Sequence, residues 1–162
     1  GNDMLELKEL SHSFIRLECV KRFTMHNMLK DSGVYFGQPP ILDFLEKNGV
    51  CTQNELAKAL EVSPASIAVS IKRMQKNGVV EKIADDSDLR CNRISLTEKG
   101  REMTREMHRK FDQIDKIMFT DFDENELATL KEYLDRIYNN LSSTECAKCC
   151  TRSESDKNGG DI

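Results

Sequence analysis

The sequence lacks any apolar run approaching the roughly 18 residues that a membrane-spanning helix requires. Its first residues also lack the charged and then apolar stretches of a secretory signal. Tryptophan is absent and aromatic residues make up 6% of the 162 residues, whereas 32% of the residues are charged. These features predict a helix-rich cytoplasmic protein without a membrane partner.

Motifs for enzymatic chemistry are also missing. The sequence contains no phosphate-binding loop, no nucleophile motif and no clustered pair of catalytic carboxylates. Its three histidines do not have the spacing typical of metal ligands. We therefore predict that the chain is not an enzyme and requires no cofactor. Its six cysteines, in a cytoplasmic protein, indicate thiols, metal ligands or redox switches rather than a disulfide framework.

The stretch from Thr52 to Leu96 contains two short helical patterns and then two β patterns around a charged loop. The turn Glu61-Val62-Ser63 separates the helical patterns. This order is typical of a helix-turn-helix followed by a wing. The expected fold class is mainly α with a small β wing (α+β), flanked by N- and C-terminal helices.

The second helix of this motif carries a candidate binding face. Ser63 and Pro64 are suited to its start and Gly78 to its end. The residues at core spacing are Ile67, Ile71 and Met74. The other face has small side chains near its start, which suit base edges, and basic side chains near its end, which suit phosphates. Together with the capping residue Ser63, this face comprises Ala65, Ser66, Val69, Lys72, Arg73 and Lys76. An ordinary amphipathic helix with a solvated face is the alternative.

The charged loop of the wing contains a second candidate contact. Asp88 can accept a hydrogen bond from Arg90 and direct its guanidinium outward. An arginine on a wing tip can enter a narrow minor groove, where the negative potential is strongest. The net charge of the chain is −4, so DNA binding would depend on where the cations point.

Apolar stripes recur in the first and last helical patterns. The first includes Leu7, Leu10, Phe14 and Leu17, and the last has a heptad-like stripe formed by Leu127, Leu130, Leu134, Ile137 and Leu141. A single domain could bury such stripes internally. We favour a bundle between two subunits, since a helix-turn-helix protein needs two recognition helices for two half-sites.

Two segments, ELAKALEVSPASIAVSIKRMQKNGVVEK and DDSDLRCNRISLTEKG, resemble the winged helix of the multiple antibiotic resistance regulator (MarR) family. The resemblance implies a homodimeric bacterial transcription factor, usually a repressor of a palindromic operator in double-stranded DNA. It also implies release by a small-molecule effector or an oxidant. By position, Ser66, Val69, Lys72 and Arg73 match the recognition-helix contacts of the family, and Asp88 and Arg90 match its wing pair.

We accordingly expect an N-terminal dimerisation helix (1–34), a winged helix-turn-helix domain (35–100), C-terminal dimerisation helices (101–141) and a polar tail (142–162). An effector would bind between the dimerisation helices and the winged domain. The candidate contacts there are His12, Phe14, Arg16, Phe36 and Pro39.

The tail contains Cys146, Cys149 and Cys150. These thiols are candidates for metal binding, for redox pairing, or for no role at all. The second functional hypothesis for the whole chain is a winged-helix module that docks onto another protein without binding an operator.

Overall fold

The structure, a computed structural model, describes residues 6–84 and 92–144. The wing pair Asp88 and Arg90 and the tail cysteines Cys146, Cys149 and Cys150 lie outside these residues. The chain divides into two compact units, Gly1–Asp115 and Lys116–Ile162. The elements in chain order are α1 (Leu7–Leu29), α2 (Pro39–Asn48), β1 (Cys51–Thr52), α3 (Gln53–Leu60), α4 (Pro64–Lys76), β2 (Val80–Ala84), β3 (Asn92–Leu96), α5 (Glu98–Met118) and α6 (Glu124–Ser142).

Local capping explains where the helices of the central motif begin and end. Thr52 and Glu55 form a reciprocal capping box at the start of α3. The Ser63 hydroxyl accepts the backbone N–H of Ser66 at the start of α4, and Gly78 follows its end with a left-handed φ of 70°. The turn between α3 and α4 is therefore the predicted one, and its first residue, Glu61, has φ 53°.

The wing is a three-stranded antiparallel sheet in the order β1-β3-β2. Cys51 of β1 pairs with Ile94, while β2 and β3 pair from Val80↔Leu96 to Ala84↔Asn92. Ile94 and Leu96 face inward, with 0% and 4% of their surface exposed. The mainly α fold with a small β wing is thus confirmed.

The hydrophobic core lies beneath the helix-turn-helix. It includes Leu42 and Leu45 of α2, Leu56 of α3, Ile71 of α4 and Met107 of α5, each with at most 1% of its surface exposed. Phe44 of α2 is only partly buried and packs at the margin of this core.

The start of α5 is packed tightly against the wing. The Thr97 hydroxyl donates to the carbonyl of Gly78 at 2.6 Å and accepts the N–H of Gly100 at 3.1 Å. A Cβ added to Gly100 would lie 2.1 Å from the carbonyl oxygen of Val79. Only glycine permits this approach, which gives a physical reason for the Thr-x-x-Gly pattern at this helix start.

Candidate nucleic-acid interface

The outward face of α4 is solvent-exposed over its whole length. Every one of the seven predicted contact residues on this helix is exposed, namely Ser63, Ala65, Ser66, Val69, Lys72, Arg73 and Lys76. Val69 is an apolar residue with 70% of its surface exposed. The opposite face is buried, with at most 2% of the surface exposed at Ile67, Ile71 and Met74. The predicted division of this helix into a core face and an outward face is therefore confirmed.

Both ends of α4 are fixed by specific bonds. At its start, the Ser63 hydroxyl caps Ser66 and also donates to the Ser66 hydroxyl at 2.9 Å. At its end, the Lys99 ammonium from α5 donates to the carbonyl of Asn77 at 2.7 Å. A cation at a helix C-terminus is favoured by the helix dipole. The face that carries the cations is thus presented on a backbone held at both ends.

Arg73 has a partner that the sequence did not reveal. Its guanidinium carbon lies 3.5 Å from the centroid of the Tyr35 ring, a cation–π geometry. Tyr35 belongs to the loop between α1 and α2 and is held by Gln38, whose side-chain oxygen accepts the Tyr35 N–H at 3.1 Å. Gln38 itself is 3% exposed. Arg73 is therefore oriented from outside α4, by a loop 38 residues earlier in the chain.

The same loop forms the wall of a cavity of about 450 Å³. Phe36 and Pro39, two of the predicted effector contacts, line it together with Tyr35. The other lining residues come from α1, from Glu18 to Leu29, and from Val34, Gly37 and Pro40. The predicted contacts His12, Phe14 and Arg16 are not among the lining residues. They lie two to six residues before Glu18, the first lining residue of α1, because the register of α1 against this loop is not encoded locally.

The two cysteines in the described residues lie in contrasting environments. Cys19 is exposed on α1, and Cys51 is buried in β1. Burial, and to a smaller extent the Glu55 carboxylate, raise the pKa of the Cys51 thiol to about 11. Cys51 is therefore a core residue with little thiolate at neutral pH.

Known proteins with similar sequences agree with this geometry. The sequence model described as MarR family matches residues 32–90. The HTH-type transcriptional regulator BilQ of Clostridioides difficile is 27% identical over 117 residues, covering 72% of this chain and 73% of the relative. The uncharacterized HTH-type transcriptional regulator YsmB of Bacillus subtilis is 29% identical over 100 residues, covering 62% of this chain and 68% of the relative. These relatives are transcriptional regulators and not enzymes, as the sequence led us to expect.

Solved structures share the fold. The YusO protein from Bacillus subtilis superposes with a TM-score of 0.75 at 20% identity, covering 86% of this chain and 98% of that one. A mutant of S. aureus MepR bound to an oligodeoxyribonucleotide superposes with a TM-score of 0.64 at 20% identity, covering 82% and 97%. Within the described residues, no helix combines the length and apolar character needed to cross a membrane.

Proposed function

We propose that this chain is a DNA-binding transcriptional regulator of the MarR family and that it acts as a homodimeric repressor of a palindromic operator. The observation that carries the proposal is the outward face of α4. Seven exposed residues there place small side chains before cations, on a helix whose other face is fully buried. That arrangement suits entry into a major groove, with base edges met first and phosphates later.

Dimerisation would place two copies of α4 on two half-sites about 34 Å apart. The apolar stripe of α6 supports it, since Leu134, Ile137 and Leu141 have 43%, 45% and 66% of their surface exposed in the single chain. Leu7, Leu10, Phe14 and Leu17 of α1 are likewise 43–80% exposed. A second copy of the chain would cover such stripes.

The cavity beside Tyr35 is the proposed effector site. Its lining combines apolar residues such as Met25 and Phe36 with Lys21, Arg22 and His26. These groups suit a small apolar molecule that carries an anionic group. Because Tyr35 contacts both the cavity and Arg73, an occupant that moves the Tyr35 ring would change the position of a cation on α4.

The first experiment uses duplex DNA from the region upstream of the gene that encodes this chain. Its binding is measured by fluorescence anisotropy at several salt concentrations. Phosphate contacts give a steep dependence of log affinity on log salt. Lys72→Ala should weaken all sequences alike and lower this slope by about one. Lys8→Ala, which removes an exposed cation at the start of α1, is the matched control and should leave the slope unchanged.

The wing is tested on one operator with A·T or G·C flanks. Arg90→Ala should cost about 1–3 kcal/mol of binding free energy and affect the A·T-flanked site more. Asp88→Ala should have a smaller effect in the same direction, because it keeps the Arg90 guanidinium but removes the carboxylate that would orient it. If Arg90→Ala binds both operators as tightly as wild type does, the wing is not part of the DNA interface. A chain without salt-dependent duplex binding would instead fit the protein-docking module.

A further inference from the structure

Outside the interface and the cavity, one histidine links two helices that are distant in sequence. His108 of α5 lies between two carboxylates of α2: its Nε2 is 2.6 Å from Asp43 Oδ1, and its Nδ1 is 3.4 Å from Glu46 Oε2. Asp43 and Glu46 are three residues apart and share one face of α2. These three groups form a cluster with the composition of a metal site.

The backbone beneath each group is fixed by the core. Asp43 follows Leu42, Glu46 follows Leu45, and His108 follows Met107. All three preceding residues have at most 1% of their surface exposed. The functional side chains are themselves 40–50% exposed, so an ion could reach them directly from solvent. The core therefore fixes the backbone positions of the three residues, and the 2.6 Å contact with Asp43 orients the imidazole.

The hydrogen-bonding capacity of the imidazole limits what the cluster can be. A neutral histidine carries one N–H, so it can donate to only one of two carboxylates. The 2.6 Å contact assigns that N–H to Nε2 and Asp43. The Nδ1 lone pair of that tautomer and an oxygen of Glu46 then face each other, so both atoms can act as ligands of one metal ion.

The distance between the two candidate ligand atoms fits a metal ion. Nδ1 of His108 and Oε2 of Glu46 are 3.4 Å apart. Two ligands about 2.0–2.2 Å from a zinc ion at a tetrahedral angle are separated by roughly 3.4 Å. Donation of the other ring N–H to a carboxylate is the usual way to fix the tautomer of a zinc-binding histidine. Asp43 occupies that orienting position.

We propose that His108 Nδ1 and the Glu46 carboxylate bind a divalent first-row metal ion of the zinc class, with Asp43 as the residue that orients His108 and water as the remaining ligands. The ion would join α2 to α5 and balance two carboxylates. This proposal does not depend on the DNA-binding proposal.

The test is calorimetric titration of the full-length, chelator-treated protein with Zn²⁺ at pH 7.5. Because the tail thiols could also bind zinc, the titration uses both the wild type and a variant carrying Cys146→Ser, Cys149→Ser and Cys150→Ser. We expect one Zn²⁺ per chain in the tail variant, with micromolar affinity. In that background His108→Asn and Glu46→Gln should each weaken binding at least about tenfold, and Asp43→Asn should weaken it less.

His12→Asn is the matched control, since His12 is an exposed histidine of α1, and it should bind as the parent does. Zinc should also raise the Tm of the parent above its value in chelator, but leave the Tm of His108→Asn at that variant's own value in chelator, which separates metal binding from folding. Equal zinc binding by the parent and His108→Asn would overturn the proposal. So would the absence of binding below 1 mM.

Discussion

The winged helix and the terminal helices show the same apolar periodicity but opposite burial. In the winged helix, Ile67, Ile71 and Met74 recur at helical spacing and are at most 2% exposed. In α6, Leu134, Ile137 and Leu141 recur in the same way and are at least 43% exposed. Among the residues of α1 only Leu29 is buried, and among those of α6 none is. Periodicity therefore predicts that a face will be covered, but it does not tell which chain covers it.

A backbone clash should produce the largest effect within the winged helix. Gly100→Ala should destabilise the protein by about 2–4 kcal/mol, because the new Cβ would meet the Val79 carbonyl. Helix propensity alone would favour alanine by about 1 kcal/mol, so the two effects differ in sign. Urea unfolding monitored by circular dichroism measures the change.

Gly78→Ala provides the control for this prediction. Gly78 has φ 70° and no atom within 4 Å of an added Cβ, so the cost there should be only the conformational strain, about 1–2 kcal/mol. A Gly100→Ala protein as stable as wild type would show that α5 moves away from the wing without penalty.

The terminal helices should respond through assembly rather than folding. Leu134→Glu places a charge in the α6 stripe and should convert a micromolar dimer into monomers with little DNA affinity. Sedimentation velocity measures the change. Asn139→Glu adds the same charge on the opposite side of α6 and should remain dimeric. Wild-type protein that sediments as a monomer at micromolar concentration would contradict the prediction.

Thiol labelling gives a smaller contrast between the two regions. Cys19 lies on the side of α1 opposite the stripe of Leu10 and Leu17, so dimerisation should leave it accessible. Cys51 is 3% exposed, and its raised pKa of about 11 leaves little thiolate at pH 8. We expect iodoacetamide to modify Cys19 at least about tenfold faster than Cys51, as read by peptide mass spectrometry. Similar rates would show that the sheet opens easily.

The smallest expected effect concerns the turn of the helix-turn-helix. Glu61 has φ 53°, a left-handed conformation that costs a non-glycine residue about 1 kcal/mol. Glu61→Gly should relieve this strain, but the greater flexibility of the unfolded chain should cancel part of the stabilisation. We expect a net increase in the free energy of unfolding below about 1 kcal/mol. Thermal unfolding at constant pH measures the gain. Asp121→Gly, at φ 65°, offers a matched position in the second unit.

Much of the winged helix could be predicted because its signals are local. The capping residues Thr52, Ser63 and Asp123 act on backbone groups within three residues of themselves. The core face of α4 follows from helical spacing, and the pairing of β1 with the wing follows from an extended segment beside it. Such features depend on neighbouring residues alone, so a single sequence contains them.

The sequence by itself therefore determined the elements, their caps and the outward face of α4. Only the tertiary structure decided which surfaces meet across large separations in the chain. It stacked Tyr35 on Arg73, brought Val79 onto Gly100, assembled the cavity without His12, Phe14 or Arg16, and joined His108 to α2 across 65 residues. These contacts follow from how whole helices pack around a shared core. No local spacing encodes that packing, because each contact depends on all the others in the core.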